Sequence, residues 1–199
     1  MAYSHNKRDR ILQAGVQVFA RKGFHNSRVS EIARHAGVAD GTIYLYFKNK
    51  VEILISIFEE EMEKIINEVQ IAVSSQTTSE SRLKAFIQTH LEIVRKKPKL
   101  AQVFHLELRQ SNRFLKEYSG TKLREYLTIL SGLFEAGQAE GAFSAAIPAN
   151  IFKRALFGAL DEVATHWVLS KNKKYDPVAS AEQIANIFLY GARISPKHK

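Results

Sequence analysis

A short run of residues between positions 40 and 50 concentrates groups that can donate hydrogen bonds to an anion. It combines a hydroxyl, two phenols, two ammonium groups and a glycine whose missing side chain lets another molecule approach the backbone. These residues are Gly41, Thr42, Tyr44, Tyr46, Lys48 and Lys50. Phenols and ammonium groups contact phosphate oxygens, whereas a threonine can present its hydroxyl and methyl groups to base edges. This chemistry favours a nucleic acid as the binding partner.

Two short predicted helices position these groups. Residues 29–36 form the first helix, a tight turn follows at Gly37, and residues 40–47 form the second helix, with Ile43 and Phe47 facing inward. A helix-turn-helix of this kind inserts the N-terminal end of its second helix into the major groove of DNA. The pattern therefore predicts a DNA-reading element.

Two residues of this element allow more than one role. The carboxylate of Asp40 either caps the second helix by accepting from its first amides, or accepts from the amine of a cytosine. The ring of Tyr44 either reaches DNA or packs on the first helix of the chain, residues 7–22. The sequence favours the cap for Asp40 and the DNA contact for Tyr44.

Helical periodicity continues along the rest of the chain, without a strand pattern or a repeat of fixed period. Asn49 is expected to cap a helix that reaches about Ser74, with Glu52 completing a capping box. The polar stretch 74–81 has the composition of a linker. Further helices are predicted at 7–22, 83–94, 101–110, 121–137, 149–170 and 177–191.

The predicted fold class is all-α with about nine helices in two domains. Residues 1–50 form an N-terminal three-helix helix-turn-helix domain for DNA binding, and residues 51–199 form a C-terminal helical domain. We expect the second domain to bind a ligand and to dimerise.

Positive charge is concentrated at the N-terminal end. The chain carries a formal net charge of +9, and its first 50 residues contain nine Lys or Arg against three Asp or Glu. Such a basic segment indicates a nucleic acid, an anionic membrane surface or a solvated face without a partner. No helix combines a large apolar face with a strongly basic one, which disfavours the membrane surface.

Composition excludes several classes of protein. The chain has no cysteine, so disulfides, thiolate metal sites and cysteine nucleophiles are impossible. No apolar run approaches the roughly 20 residues of a membrane-spanning helix. The polar N-terminus, Met1 to Arg10, does not resemble a signal peptide. We therefore expect a cytoplasmic protein.

An enzyme is disfavoured by the motifs that are missing. His105 and Glu107 echo the H-x-E of zinc deaminases, whose cysteine ligands this chain lacks. Glu162 and His166 lie one helical turn apart without an evident third metal ligand. No phosphate loop, dinucleotide fingerprint or nucleophile elbow occurs. We expect no catalytic residue, no metal site and no cofactor.

The segment 27–50 resembles the DNA-binding signature of the TetR family of transcriptional repressors. The matching residues are Ile32-Ala33, Ala36-Gly37-Val38, Gly41-Thr42, Tyr44, Tyr46-Phe47 and Asn49-Lys50. The resemblance implies that Arg28 and Ser30 contact DNA at the start of the second helix, although Arg28 could also be a solvated surface charge. It also implies that Tyr44, Tyr46 and Lys50 clamp phosphates, while Lys48 adds charge nearby.

The family resemblance further implies a homodimer on a palindromic double-stranded operator. The last two long helices of such proteins form a four-helix interface, and a two-fold pair reads two half-sites. The apolar stripes that suit this role are Ile151, Ala155, Leu156, Ala159, Leu160, Val163 and Trp167, followed by Ile184, Ile187, Phe188 and Gly191. Periodicity alone leaves an intramolecular core as the alternative.

Residues 40–50 and 106–112, together with Phe157-Gly158, Asp161-Glu162 and Trp167, resemble a narrower group within this family, the repressors of fatty-acid degradation genes. This narrower resemblance implies that long-chain acyl-CoA is the effector that releases DNA. Another hydrophobic ligand, such as a drug, is the alternative, and the sequence does not separate a repressor from an activator. The predicted ligand contacts are apolar wall residues and polar residues at the mouth of the site. They are Phe86, Leu91, Val103, Phe104, Leu108, Arg109, Asn112, Leu130, Phe134, Lys153 and Phe157.

Overall fold

A computed structural model describes residues 7–107, 120–170, 172 and 175–192. Within these residues the chain forms nine α-helices and one π-helical stretch, Val103–Glu107, and it contains no β-strand. The predicted all-α class is therefore confirmed. The helices are α1 (Lys7–Lys22), α2 (Val29–Ala36), α3 (Asp40–Tyr44), α4 (Lys50–Ser74), α5 (Ser79–Lys96), α6 (Pro98–Gln102), α7 (Thr121–Ala139), α8 (Ala149–Leu169) and α9 (Ala179–Ala192).

The chain packs into two compact units. The first contains Met1–Glu61 and Pro98–Gly120, and the second contains Met62–Lys97 and Thr121–Lys199, so the boundary falls within α4. Among the described helices, none is both long and apolar enough to cross a membrane. The functional division at residue 50 stays a prediction.

In the first unit, α1 and α2 pack against each other and α3 packs on α2. The amphipathic period of α1 places Ile11 and Phe19 inward, where both are completely buried. Ile32 of α2 and Ile43 of α3 complete this core. These contacts leave the opposite side of α3 available to a partner.

The start and end of α3 differ from the prediction. Ala39 is the N-cap residue, and Asp40 is the first helical residue with no capping bond from its side chain, so the predicted Asp40 cap is wrong. The carboxylate still lies in the first turn, where the helix dipole favours a negative charge. The helix ends at Tyr44 instead of near Phe47, because the chain turns there and buries Phe47.

Asn49 caps α4 as predicted, but the predicted capping box is only half formed, because the Glu52 side chain does not bond to the backbone N–H of Asn49. The backbone N–H of Glu52 donates to Oδ1 of Asn49 at 3.0 Å. The Glu52 carboxylate reaches back to the backbone N–H of Lys48 at 2.5 Å, one residue before the N-cap. One amide of the first helical turn, that of Glu52, is thereby satisfied.

Three further boundaries differ from those predicted. The linker-like stretch 74–81 is mostly helix ends, because Thr78 caps α5 and the helix starts at Ser79. Pro98 ends one helix and is also the first residue of α6. Proline is tolerated there because a backbone N–H in the first turn of a helix has no acceptor within the helix. The last helix begins at Ala179, two residues after Pro177.

The second unit is built around α5, α7, α8 and α9. Its centre holds stacked phenyl rings: Phe134 lies 3.8 Å from Phe152 and 5.2 Å from Phe143 between ring centroids. Gly137 allows this stacking, because a Cβ there would come within 2.2 Å of the Phe143 ring. The aromatic core gives this unit its apolar interior.

Candidate nucleic-acid interface

The outer side of α3 and the turn after it carry the predicted DNA contacts. Tyr44 is 59% exposed, so the alternative in which its ring lies in the core is wrong. Tyr46 and Lys48 are also exposed, and Thr42 is half-buried. A Cβ built at Gly41 meets no atom within 4 Å, which leaves open space at the start of the helix. The predicted contacts on α3 and on the turn directly after it are therefore accessible to a partner.

Arg28 and Ser30 lie at the start of α2 and are both exposed. The backbone N–H of Arg28 donates to Oε2 of Glu31 at 3.2 Å, and within residues 7–107 its guanidinium has no partner. Lys22 also pairs with Glu31, and this hydrogen bond is the main cause of the lowered pKa of the Glu31 carboxyl. The Arg28 guanidinium thus points its positive charge at solvent.

The turn between α2 and α3 is held by a left-handed residue and a cation. Gly37 has a φ of 64°, and Val38 N–H donates to the Ala33 carbonyl at 3.0 Å, which closes a Schellman motif. The guanidinium of Arg10 donates to the carbonyls of Ala36 and Gly37. These bonds determine the angle at which α3 follows α2.

Lys50 has an environment that the sequence did not indicate. Its ammonium donates to the carbonyls of Phe24 at 2.5 Å, His25 at 3.2 Å and Ser27 at 2.8 Å. It also lies 4.5 Å from the centroid of the Phe24 ring, a cation–π distance. Three N–H donors and three carbonyls match in number. Lys50 therefore closes the loop between α1 and α2, and a phosphate contact by its side chain stays a prediction.

The predicted ligand contacts are divided between the two units. In the second unit, Phe86, Leu91, Leu130 and Phe134 are completely buried, while Lys153 and Phe157 are half-buried. In the first unit, Val103 is buried and the half-buried ring of Phe104 lies 4.9 Å from that of Phe58. Leu108, Arg109 and Asn112 lie outside the described residues.

A buried hydrogen-bonded pair in the second unit was missed by the sequence analysis. The hydroxyl of Tyr126 and Nδ1 of His90 are 2.8 Å apart. The Tyr126 ring lies 5.2 Å from Phe86 and 6.4 Å from Phe157, two of the predicted ligand contacts. Burial raises the pKa of the Tyr126 phenol, so the hydroxyl stays protonated at neutral pH. The only signal in the sequence was helical spacing, which does not distinguish this tyrosine from an ordinary core residue.

The apolar stripes predicted for dimerisation have an inner and an outer side. Leu156, Leu160 and Trp167 of α8 are buried within the protomer. On the outside, large apolar residues remain exposed on α8 and α9. They are Ile151 at 56%, Leu169 at 55%, Ile187 at 69% and Tyr190 at 66%. Part of each stripe therefore belongs to the intramolecular core, and part is available to another molecule.

Metal chemistry finds no support in this part of the chain. Among the described residues, no three His, Asp or Glu side chains lie close enough together to hold an ion. His105 is buried on the π-helical stretch, and Glu162 and His166 are exposed on α8.

This helix-turn-helix, joined to a helical unit with an apolar interior, defines a class of DNA-binding regulators. A family model described as "Bacterial regulatory proteins, tetR family" matches residues 11–57, and one described as "YsiA-like protein, C-terminal region" matches residues 58–191. The chain belongs to the TetR family of bacterial regulatory proteins. The family resemblance inferred from residues 27–50 is thereby confirmed.

Within the family, the chain is similar to fatty-acid regulators of bacilli over most of its length. It is 39% identical to the "Fatty acid metabolism regulator protein" of Bacillus subtilis over 181 residues, which cover 91% of this chain and 93% of that protein. The structure of the fatty acid degradation regulator FadR from Bacillus halodurans superposes with a TM-score of 0.88 at 39% identity, covering 96% of this chain and 98% of the other. The Bacillus subtilis FadR structure in complex with stearoyl-CoA gives 0.86 at 38% identity, covering 92% and 98%.

Proposed function

We propose that this protein is a transcriptional repressor of fatty-acid degradation genes, and that long-chain acyl-CoA releases it from its operator. The observation that carries the proposal is near full-length similarity, at 38% identity, to a regulator whose structure holds stearoyl-CoA. A repressor of chromosomal genes acts in the cytoplasm, where its DNA is.

The exposed side of α3 supports the DNA-binding half of the proposal. Gly41 and Thr42 lie at the start of the helix, where a recognition helix meets base edges. Tyr44, Tyr46 and Lys48 follow them and can donate hydrogen bonds to phosphate oxygens. Two copies of this short element on a homodimer read two half-sites about 34–36 Å apart, one helical turn of DNA. The operator is accordingly palindromic.

The aromatic interior of the second unit supports the effector half. An acyl chain gains about 0.8 kcal/mol for each methylene removed from water, so a long chain binds an apolar site strongly. The wall residues Phe86, Leu91, Leu130, Phe134 and Phe157 supply such surface. Lys153 of the same unit is assigned to the phosphates of the CoA head group.

Release follows from thermodynamic linkage. If acyl-CoA binds the DNA-free form more tightly, DNA and acyl-CoA lower each other's affinity by the same factor. Release of DNA depends on the difference between the affinities of acyl-CoA for the DNA-free and the DNA-bound protein, and not on how tightly acyl-CoA binds.

The test is fluorescence anisotropy of a labelled palindromic operator with acyl-CoAs of increasing chain length. We expect release by long-chain acyl-CoA, weaker release by short chains, and none by free CoA or by the free fatty acid. Equal release by free CoA, or no release by any acyl-CoA, contradicts the acyl-CoA effector. Operator binding that persists in that case leaves a repressor with another hydrophobic ligand.

A further inference from the structure

A pocket of about 430 Å³ lies within the first unit, away from the exposed side of α3. It is bounded by the second half of α1, the last turn of α2 and the short helix α6. Its lining residues are Gln17, Ala20, Arg21, His35, Lys99 and Gln102. Pockets of about 300–1,000 Å³ accommodate small organic ligands. The pocket is therefore large enough for more than a single ion.

The charged residues that line this pocket, Arg21 and Lys99, are both cations. Within the described residues, Arg21 has no hydrogen-bond or ion-pair partner. The Lys99 ammonium donates to Oε1 of Gln17, a neutral partner that leaves the charge uncompensated and the Gln17 amide nitrogen available as a donor. No Asp or Glu lines the pocket. A ligand must therefore supply acceptors and negative charge.

The C-terminal ends of α1 and α2, which lie beside the pocket, do not cancel this positive charge. C-terminal carbonyls of a helix normally disfavour an anion. Here the Ala20 carbonyl accepts from Nε2 of Gln102 at 2.8 Å, and the Ala36 and Gly37 carbonyls accept from Arg10. Because these carbonyls already accept hydrogen bonds, they oppose an anion less strongly than unpaired helix ends would.

The position of the pocket argues against the DNA backbone as its occupant. Of α2, only His35 in the last turn lines it, whereas the predicted DNA contacts Arg28 and Ser30 are at the first turn. Five residues of helix separate Ser30 from His35, about 8 Å along the axis. A free ligand fits this location better than a phosphate of the bound operator.

We propose that this pocket is an additional effector site that binds a nucleotide-sized organic phosphate. Arg21 offers two parallel N–H donors to a phosphate, and Lys99 adds a second cation. The amide of Gln17 contributes a further donor, and the exposed His35 ring offers a flat face for a base. None of the predicted acyl-CoA contacts lines this pocket, so its ligand is assigned separately from the acyl-CoA of the proposed function.

Isothermal titration calorimetry of the full-length protein with ADP, inorganic pyrophosphate and adenosine tests the site. We expect saturable binding of ADP, weaker binding of pyrophosphate and none of adenosine. Arg21→Gln and Lys99→Gln should each weaken ADP binding by about tenfold, the loss of one charge-assisted contact. Arg34→Gln is the matched control, because Arg34 is exposed on the same unit and does not line the pocket. We expect its ADP affinity to stay within about twofold of the parent.

Three results overturn the proposal. The first is the absence of saturable ADP binding at millimolar concentration. The second is an equal loss in Arg21→Gln and Arg34→Gln, which indicates only general attraction of anions. The third is a lower salt dependence of operator affinity in Arg21→Gln without ADP binding by the parent, which assigns the pocket to DNA phosphates. None of these measurements depends on release by acyl-CoA, so the two proposals fail separately.

Discussion

At the scale of single residues, Lys48 and Lys50 show two uses of the same side chain. Lys48 is exposed, whereas the Lys50 ammonium is held by three backbone carbonyls of the α1–α2 loop. We expect Lys50→Ala to lower the free energy of unfolding by about 2 kcal/mol, because the lost hydrogen bonds carry a charge. We expect Lys48→Ala to leave stability unchanged and to reduce the salt dependence of operator binding by about one phosphate contact. Urea unfolding and anisotropy at several salt concentrations measure the two effects.

The two variants control for each other, since each removes one positive charge. If Lys50→Ala left the free energy of unfolding unchanged and reduced the salt dependence of operator affinity, the Lys50 ammonium would contact a DNA phosphate. The ammonium would then have to leave the loop carbonyls when DNA binds.

Tyr126 gives a prediction about alkaline pH. Burial raises the pKa of its phenol above the ordinary value of about 10, so the folded protein keeps a proton that the unfolded chain releases. Stability therefore declines as pH rises above about 10, by up to about 1.4 kcal/mol per pH unit from this residue. In Tyr126→Phe this part of the decline is absent, which urea unfolding at pH 9 to 11 detects.

The matched control for Tyr126→Phe is Tyr44→Phe, which removes an exposed phenol. Its stability should follow the parent over the whole pH range. A decline in Tyr126→Phe as steep as that of the parent would mean that the buried phenol does not hold its proton in the folded state.

At the scale of elements, substitution of Gly41 should have opposite effects on the stability of the fold and on operator affinity. Its φ is negative and a Cβ there meets no atom within 4 Å, so an alanine fits in α3 when no DNA is bound. Gly41→Ala should raise the free energy of unfolding by about 0.5 kcal/mol, because glycine loses more backbone entropy. The added methyl group should nevertheless weaken operator binding about tenfold or more, by displacing the helix from the groove.

Gly132→Ala is the comparison for this prediction. Gly132 lies in α7, is exposed, and a Cβ there also meets nothing within 4 Å. It should gain similar stability without any loss of operator affinity. Full operator affinity in Gly41→Ala would show that the start of α3 does not approach DNA closely.

The elements predicted best from sequence were those with local signals. The period of α1, the Gly37 turn and the Asn49 cap each depend on residues within one or two helical turns, and all three are present. The predicted DNA contacts Tyr44, Tyr46 and Lys48 come from the same short segment and are exposed. Such features need no knowledge of distant parts of the chain.

The features that sequence reasoning missed depend on distant contacts. Lys50 bonds to carbonyls 23 to 26 residues away, and Tyr126 to a histidine 36 residues away. The helix predicted at 101–110 starts instead at Pro98 and passes into a π-helical stretch at Val103. A periodic pattern assigns residues to a face but does not reveal which neighbour accepts a particular donor.

At the scale of the whole molecule, the exposed apolar residues of α8 and α9 predict a dimer. Ile187→Lys should weaken self-association by about 2 kcal/mol or more, because it places an unpaired charge in an apolar contact. Sedimentation velocity should then show a higher monomer fraction at a given concentration. Affinity for a full palindrome should fall towards that for a single half-site.

The control for Ile187→Lys is Ile71→Lys. Ile71 is 71% exposed on α4, outside the two helices of the predicted interface, so its variant should sediment like the parent. A dimer that survives Ile187→Lys but dissociates with Ile71→Lys would place the interface elsewhere.

The apolar exterior of α8 and α9 also links gene control to protein abundance. While single protomers predominate, halving their concentration lowers the number of pairs to about a quarter. Growth that dilutes the protein would therefore relieve repression more steeply than in proportion to dilution. A cell that holds the protein near its association threshold would respond sharply to small changes in its synthesis.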